Sequence, residues 1–130
     1  MSGAGRNRPR DVKVVRADEI KDAKIQPIAG WLLVLTGKHK GEDFRLREGK
    51  NSVGSAPDGE VVLTDDHMSL KHANINVKRA SETTGSYSVI DLDSTNGTFL
   101  NDGKEKITKE ELVDNDTIVF GTTRCKFKCV

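Results

Sequence analysis

The sequence predicts an all-β protein, an antiparallel β-sandwich, on the basis of two observations. From Trp31 onward the apolar residues recur with a period of two, and short turn-forming segments separate the runs. A period of two is typical of strands with one buried and one solvated face, because helices repeat every 3.6 residues instead. Many short strands joined by closely spaced turns are typical of a sandwich.

Each alternating run predicts one strand, and the clearest of them cover residues 43–47, 73–78, 117–120 and 124–129. The positions expected to face the core are Phe44, Leu46, Ala73, Ile75, Val77, Ile118, Phe120, Cys125, Phe127 and Cys129. Segments rich in Gly, Pro, Asn and Asp lie between the runs, at 37–41, 56–59, 84–85, 96–97 and 101–103. These residue types favour tight turns, so the runs are expected to be joined by short connections.

Length and composition limit the classes of protein that this chain can represent. With 130 residues it has the length of one domain, which can bury a core without metals or disulfides. A net charge of +1 and an aromatic content of 5% argue against nucleic-acid binding. The apolar run from Trp31 to Leu35 is too short to cross a membrane.

The two cysteines and the N-terminus indicate the cellular compartment of the protein. On one strand, Cys125 and Cys129 would lie roughly 13 Å apart, too far for a disulfide, and unpaired thiols are typical of a reducing compartment. Residues 1–29 contain no apolar segment of a secretory signal, and they hold seven basic against four acidic residues. We therefore expect a cytoplasmic protein with a disordered leader at 1–29 and a domain at 30–130, with at most a short strand near Val12–Val15 and a weak helical turn at 17–25.

Three polar segments between the predicted strands are the candidate functional loops. They are residues 54–59, 64–72 and 91–98, called here the first, second and third loops. Loops are where β-sandwiches usually carry function, and these contain hydroxyl groups, amides and a lysine. Such groups suit recognition of an anion that accepts hydrogen bonds, such as phosphate.

Residues of the three loops occur in a characteristic order. Gly54 is followed after a spacer by Ser69-x-x-His72, and after a second spacer by Asn96-Gly97-Thr98. The order and spacing resemble the forkhead-associated (FHA) domain, a module that reads phosphothreonine. Residues 99–101 and 114–121 are similar to the closing strands of that family, so the resemblance covers residues 30–130.

The resemblance implies a fold and a set of roles. The sandwich would have about eleven strands, with the three loops at one end. Ser69 would bind phosphate, Thr95 would help to hold it and sense the threonine methyl group, and Asn96 would hydrogen-bond the peptide backbone. The structural residues would be Gly54, which allows a tight turn at a strand end, His72, which ties the loops together, and Gly97.

Two departures from the family pattern concern phosphate affinity. The family has an arginine after the first glycine, but this chain has Ser55, and it has Leu70 after Ser69. Ser55 and Lys71 are the expected partial substitutes for the arginine. Because charge-assisted contacts are worth roughly 1.5–3 kcal/mol, we expect affinity to be about 2 kcal/mol, or roughly thirty-fold, below that of a full-motif member.

The same residues permit two further interpretations, a catalytic pair and a metal site. Ser69 and His72 could act as nucleophile and base, but the sequence shows no assured orienting acid and no Gly-x-Ser-x-Gly elbow. Asp65, Asp66, His67 and His72 have the spacing of no common metal site. We therefore expect no enzymatic activity in this domain, no metal and no cofactor.

The sequence thus predicts a phosphothreonine-peptide recognition module for signalling or scaffolding. Its partners would be a phosphothreonine-bearing protein or peptide and the upstream Ser/Thr kinase. We expect the domain to be the N-terminal part of a larger bacterial-type signalling protein, with an effector such as a diguanylate cyclase or kinase after Val130. The alternative is a module of the same fold that binds a protein partner without phosphate, which Ser55 favours.

Overall fold

Ten β-strands make up the regular structure of the computed structural model, which describes residues 27–79 and 85–129. The strands are β1 (Ile28–Val34), β2 (Asp43–Arg47), β3 (Gly49–Gly54), β4 (Val61–Val62), β5 (Ala73–Arg79), β6 (Gly85–Asp91), β7 (Thr98–Leu100), β8 (Lys109–Leu112), β9 (Thr117–Phe120) and β10 (Thr123–Cys129). Within these residues no helix is long and apolar enough to cross a membrane.

The strands form two five-stranded sheets. One has the order β2–β1–β10–β9–β7, and the other has the order β4–β3–β5–β6–β8. All neighbouring pairs are antiparallel except β3 and β4, which run parallel with Val53 opposite Val61. The predicted all-β sandwich is therefore confirmed, with one short parallel strand at an edge of the second sheet.

The core lies between the sheets and follows the alternation of the sequence. In β5, Ala73, Ile75 and Val77 are buried, whereas the residues between them are partly or fully exposed. Other buried core residues are Leu32, Leu46, Val53, Val61, Leu63, Val89, Ile118, Phe120, Cys125 and Phe127. The burial of these side chains is the main favourable contribution to folding.

The two cysteines on β10 are free thiols that differ in burial. Cys125 is fully buried and Cys129 is half-buried against the core. Burial raises the pKa of Cys125 to about 12, because a thiolate would be poorly solvated among apolar side chains. A thiol with such a pKa is unreactive at neutral pH, so Cys125 serves packing.

The first strand begins at Ile28, two residues before the boundary expected from the sequence. Ala29 is buried, and its carbonyl accepts a hydrogen bond from the Tyr87 hydroxyl at 2.9 Å. This bond joins β1 of one sheet to β6 of the other. The expected leader strand near Val12–Val15, the turn at 17–25 and the turn residue Thr84 lie outside the described residues.

Candidate functional site

The first and second loops are joined by main-chain hydrogen bonds. The N–H of Ser55 donates to the carbonyl of Ser69 at 3.0 Å, and the N–H of Ala56 donates to the carbonyl of Leu70 at 3.2 Å. This contact begins at Gly54, where an added Cβ would lie 2.1 Å from the Leu70 carbonyl oxygen. Gly54 does not have a positive φ. Glycine is therefore needed at position 54 because two backbones approach each other closely there, and not because of the tight turn expected from the sequence.

His72 joins the second loop to the third. The main-chain N–H of Ser69 donates to His72 Nδ1 at 3.2 Å, and Nε2 lies 2.9 Å from the Gly97 carbonyl, to which it donates. The imidazole is fully buried and meets the Phe120 ring edge to face, with centroids 5.9 Å apart. Burial lowers the pKa of His72, and the bond to Gly97 and the charge of Asp91 offset only part of this effect. The neutral ring has one acceptor and one donor, which matches both partners.

The Asp91 carboxylate holds the third loop in place through hydrogen bonds to residues of the same loop. Asp91 accepts hydrogen bonds from the Ser94 hydroxyl at 2.6 Å and the Thr98 hydroxyl at 2.7 Å. The Ser94 hydroxyl oxygen in turn accepts the N–H of Gly97 at 3.0 Å. Burial alone would raise the pKa of Asp91, but these donors outweigh it and hold the pKa below its usual range. The sequence pattern assigned no role to Asp91 or Ser94, although Asp followed three residues later by Ser is a turn signal.

The turn between β9 and β10 supports both loops. The N–H of Gly121 donates to the Gly97 carbonyl at 2.9 Å, so this oxygen accepts from Gly121 and His72 together. A Cβ at Gly121 would lie 2.4 Å from the His67 carbonyl oxygen, and its φ is +62°. The sequence pattern predicted only a closing strand at Gly121, because nothing in its local pattern shows that two distant loops pack on it.

Ser69, Thr95 and Asn96 are brought together at the edge of these loops. The N–H of Thr95 donates to the Ser69 hydroxyl oxygen at 3.2 Å, and the Asn96 side-chain amide lies 3.4 Å from the His67 carbonyl. Thr95 and Asn96 are exposed, and Ser69 is half-buried. The three residues that the resemblance assigned to peptide binding thus form one contiguous polar surface.

The two expected substitutes for arginine lie in different surroundings. Ser55 is beside Ser69, because its main-chain N–H donates to the Ser69 carbonyl. Lys71 is exposed and lines a groove of about 310 Å³ together with Leu70, Asp58 and Glu60. The structure therefore brings Ser55 to the cluster, and Lys71 lines a groove that also contains two carboxylates.

The geometry does not form a catalytic pair or a metal site among the described residues. His72 accepts from the main-chain N–H of Ser69, and the Ser69 hydroxyl bonds to Thr95 instead of the imidazole. Asp65 bonds to the hydroxyl of Thr123 and the N–H of Lys38, away from His72. In the described ranges no group of three His, Cys, Asp or Glu side chains is placed to hold a metal ion.

Two five-stranded sheets, with the first and second loops joined by main-chain hydrogen bonds and the second and third loops joined by His72, define an FHA-type domain, a non-enzymatic module for protein interaction. A family profile described as the cytoplasmic domain of an inner membrane component of T3SS, Yop-YscD, matches residues 33–129. The chain belongs to this family, which is of the FHA type.

Two relatives from Mycobacterium tuberculosis are similar over much of the domain. FhaB of Mycobacterium tuberculosis, an FHA domain-containing protein, is 41% identical over 76 residues, covering 58% of this chain and 46% of FhaB. The glycogen accumulation regulator GarA of the same species is 28% identical over 103 residues, covering 79% of this chain and 59% of GarA. The chain thus spans about half of the length of these relatives.

Solved FHA domains have the same architecture. One, from work on phosphothreonine-dependent FHA domain interactions, superposes with a TM-score of 0.66 and 27% identity over 78% of this chain and 97% of that chain. The FhaA FHA domain, complexed with the intracellular domain of Rv3910, gives a TM-score of 0.64 and 28% identity over 77% and 100% of the two chains. The predicted resemblance to the FHA family is therefore confirmed.

Proposed function

We propose that this domain recognises a phosphothreonine-bearing peptide through Ser69, Thr95 and Asn96, with Ser55 beside them. The observation that carries the proposal is the bond from the Thr95 N–H to the Ser69 hydroxyl, which places two hydroxyl-bearing residues side by side at the loop edge. The similarity to an FHA domain with phosphothreonine-dependent interactions supports this assignment.

The Ser69 hydroxyl is suited to a phosphate oxygen. Its oxygen accepts the N–H of Thr95, so its proton is left to donate to a ligand. A donor to an anionic oxygen forms a charge-assisted hydrogen bond, which is about twice as strong as a neutral one. Since His72 holds the main chain of Ser69 from the core side, the hydroxyl is positioned before a ligand arrives.

Replacing the Ser69 hydroxyl is the direct test of this site. Ser69→Ala is expected to weaken binding of a phosphothreonine peptide about ten-fold or more, because one charge-assisted bond worth roughly 1.5–3 kcal/mol is lost. Calorimetric titration measures the affinity, and the unphosphorylated peptide serves as the ligand control. Ser86→Ala, at an exposed position on β6, is the matched variant and should bind like wild type. Equal phosphate-dependent affinity of Ser69→Ala and wild type would remove Ser69 from the site.

A second candidate function is binding of a protein surface without phosphate. The observation that favours it is Ser55, which brings no cation to the cluster and whose main-chain N–H is already used by the Ser69 carbonyl. The N–H of Ala56 is likewise used by Leu70. Among the side chains of the first loop, only the neutral hydroxyl of Ser55 can therefore donate to a phosphate.

Restoring the arginine separates the two candidates. Ser55→Arg is expected to raise affinity for the phosphorylated peptide about ten-fold, since the guanidinium fork matches a phosphate and position 55 lies beside Ser69. The gain should decrease as salt screens the pair. Titrations at two salt concentrations measure it, and Ser55→Met, of similar length but neutral, is the control. A folded Ser55→Arg variant with no salt-sensitive gain for any phosphothreonine peptide would favour the phosphate-independent function.

The proposal also covers the cellular location of the domain, the enzyme that produces its ligand and the protein that contains it. We place it in the cytoplasm, without enzymatic activity of its own. A Ser/Thr kinase would produce its ligand, and a longer parent protein would carry an effector such as a diguanylate cyclase or kinase. Mass spectrometry of the intact endogenous protein would show whether such an effector is present.

A further inference from the structure

The three loops present an unfavourable charge to an anionic ligand. Residues 54–59, 64–72 and 91–98 contain one lysine and five carboxylates. The acidic residues are Asp58, Asp65, Asp66, Asp91 and Asp93. A phosphothreonine carries nearly two negative charges at neutral pH, so repulsion from these carboxylates opposes its approach. Apart from Lys71, a cation that contacts the phosphate has to come from outside the three loops.

Lys106, in the connection between β7 and β8, is held against the third loop. The N–H of its neighbour Ile107 donates to the Thr98 carbonyl at 2.8 Å, and the Ile107 side chain packs on the core. The methylene groups of Lys106 lie across Gly97, where an added Cβ would be 2.7 Å from Cγ and 3.0 Å from Cε. Because Ile107 anchors the main chain, this placement does not depend on the rotamer of Lys106 alone.

The ammonium group of Lys106 is available to a ligand. The side chain is exposed, and in residues 27–79 and 85–129 its ammonium has no hydrogen-bond or ion-pair partner. Lys71, the one lysine of the three loops, lines a groove that also contains Asp58 and Glu60. Gly97 directly follows Asn96, so the stem of Lys106 borders the proposed peptide-binding surface. The sequence pattern did not indicate a role for Lys106, since it lies nine residues beyond Gly97 in a charged connection.

We propose that Lys106 supplies the cationic contact to an anionic group of the bound peptide, in place of the arginine that this chain lacks at Ser55. This inference rests on the proposed function. The anionic group is the phosphate itself or an acidic side chain near the phosphothreonine, and both chemistries fit an ammonium that reaches over the third loop. The role is that of a specificity-determining residue that favours anionic peptides.

The test compares Lys106→Met with wild type in calorimetric titrations of three short peptides based on Gly and Ala. One contains phosphothreonine alone, one contains phosphothreonine followed by glutamates, and one contains the glutamates with unmodified threonine. Lys106→Met is expected to lose about three- to five-fold in affinity, and the loss should shrink at high salt, as for an exposed ion pair. Lys104→Met, in the same exposed connection, is the matched control and should leave affinity unchanged.

The pattern of losses identifies the anion. A loss with the first peptide assigns Lys106 to the phosphate, and a loss confined to peptides with glutamates assigns it to the acidic side chain. Lys106-dependent binding of the unphosphorylated acidic peptide would support Lys106 while contradicting the proposed phosphothreonine function. Equal affinities of Lys106→Met and wild type, for peptides whose binding still requires Ser69, would overturn the inference and leave the proposed function standing. No binding of any peptide to wild type would overturn both.

Discussion

Gly54→Ala is expected to destabilise the domain by about 2–4 kcal/mol. The added Cβ would lie 2.1 Å from the Leu70 carbonyl oxygen and 2.8 Å from its carbonyl carbon. Both atoms belong to the backbone, so no side chain can rotate away, and the first and second loops must separate. The bonds from Ser55 to Ser69 and from Ala56 to Leu70 would then lengthen. Urea denaturation followed by circular dichroism measures the loss.

Gly59→Ala is the matched control for this prediction. Gly59 is in the same loop, and an added Cβ would meet the Ser52 hydroxyl at 3.0 Å and no backbone atom closer than 3.5 Å. Its φ is not positive, so alanine can adopt the conformation. We expect a change below about 1 kcal/mol. Equal denaturation midpoints for Gly54→Ala and Gly59→Ala would show that the close approach at Gly54 is not required for stability.

His72→Ala is expected to cost about 2–3 kcal/mol of stability and to weaken peptide binding as well. The variant leaves the Gly97 carbonyl with one donor instead of two and the N–H of Ser69 without its acceptor. It also leaves a cavity beside the Phe120 ring. Both the second and third loops lose their common support, so Ser69 and Thr95 should be less well positioned. Thermal melts and the titration described for Ser69 measure the two effects.

His67→Ala provides the comparison, since His67 is an exposed histidine of the same loop. Its stability should stay within about 0.5 kcal/mol of wild type. An unchanged melting midpoint for His72→Ala would contradict the assignment of His72 as a structural link.

Because the pKa of His72 is lowered, the stability of the domain is expected to decrease at acidic pH. The unfolded chain binds the proton near the ordinary pKa of 6.5, whereas the native state resists protonation until lower pH because the ring is buried. Unfolded protein therefore binds more protons below about pH 6.5, so stability falls as the pH falls through this range. Asp91 would be protonated only at lower pH, because its pKa lies below the usual carboxyl range. Denaturation between about pH 7 and 5 should show a steeper loss in wild type than in His72→Gln, which cannot titrate.

The fold class could be predicted because a sandwich imposes its pattern locally. Each strand with one buried and one wet face must alternate apolar and polar residues, as 73–78 and 124–129 do. Turns also act locally, since Asn-Gly and similar pairs favour the required backbone angles. The parallel pairing of β3 and β4 was not predicted, because Val61–Val62 has only two residues and its partner depends on the path of the whole chain.

The candidate site likewise has features that the sequence determines and features that it does not. Sequence by itself determined which residue types are present and in what order: Ser69, His72, Thr95 and Asn96 at spacings that resemble a known family, with Ser55 where an arginine is usual. These properties can be identified without a structure, because a motif is defined by residue types and their spacing along the chain.

Only the tertiary structure decided how these residues act on one another. Loops far apart in the sequence meet at Gly54, which has to be small because the backbone of Leu70 crosses it. His72 proved to bond the main chain of Ser69 and Gly97 instead of a hydroxyl, and Lys106 came to lie over Gly97. The physical reason is that hydrogen bonding, steric exclusion and charge all act over a few ångströms of space, whatever the separation along the chain.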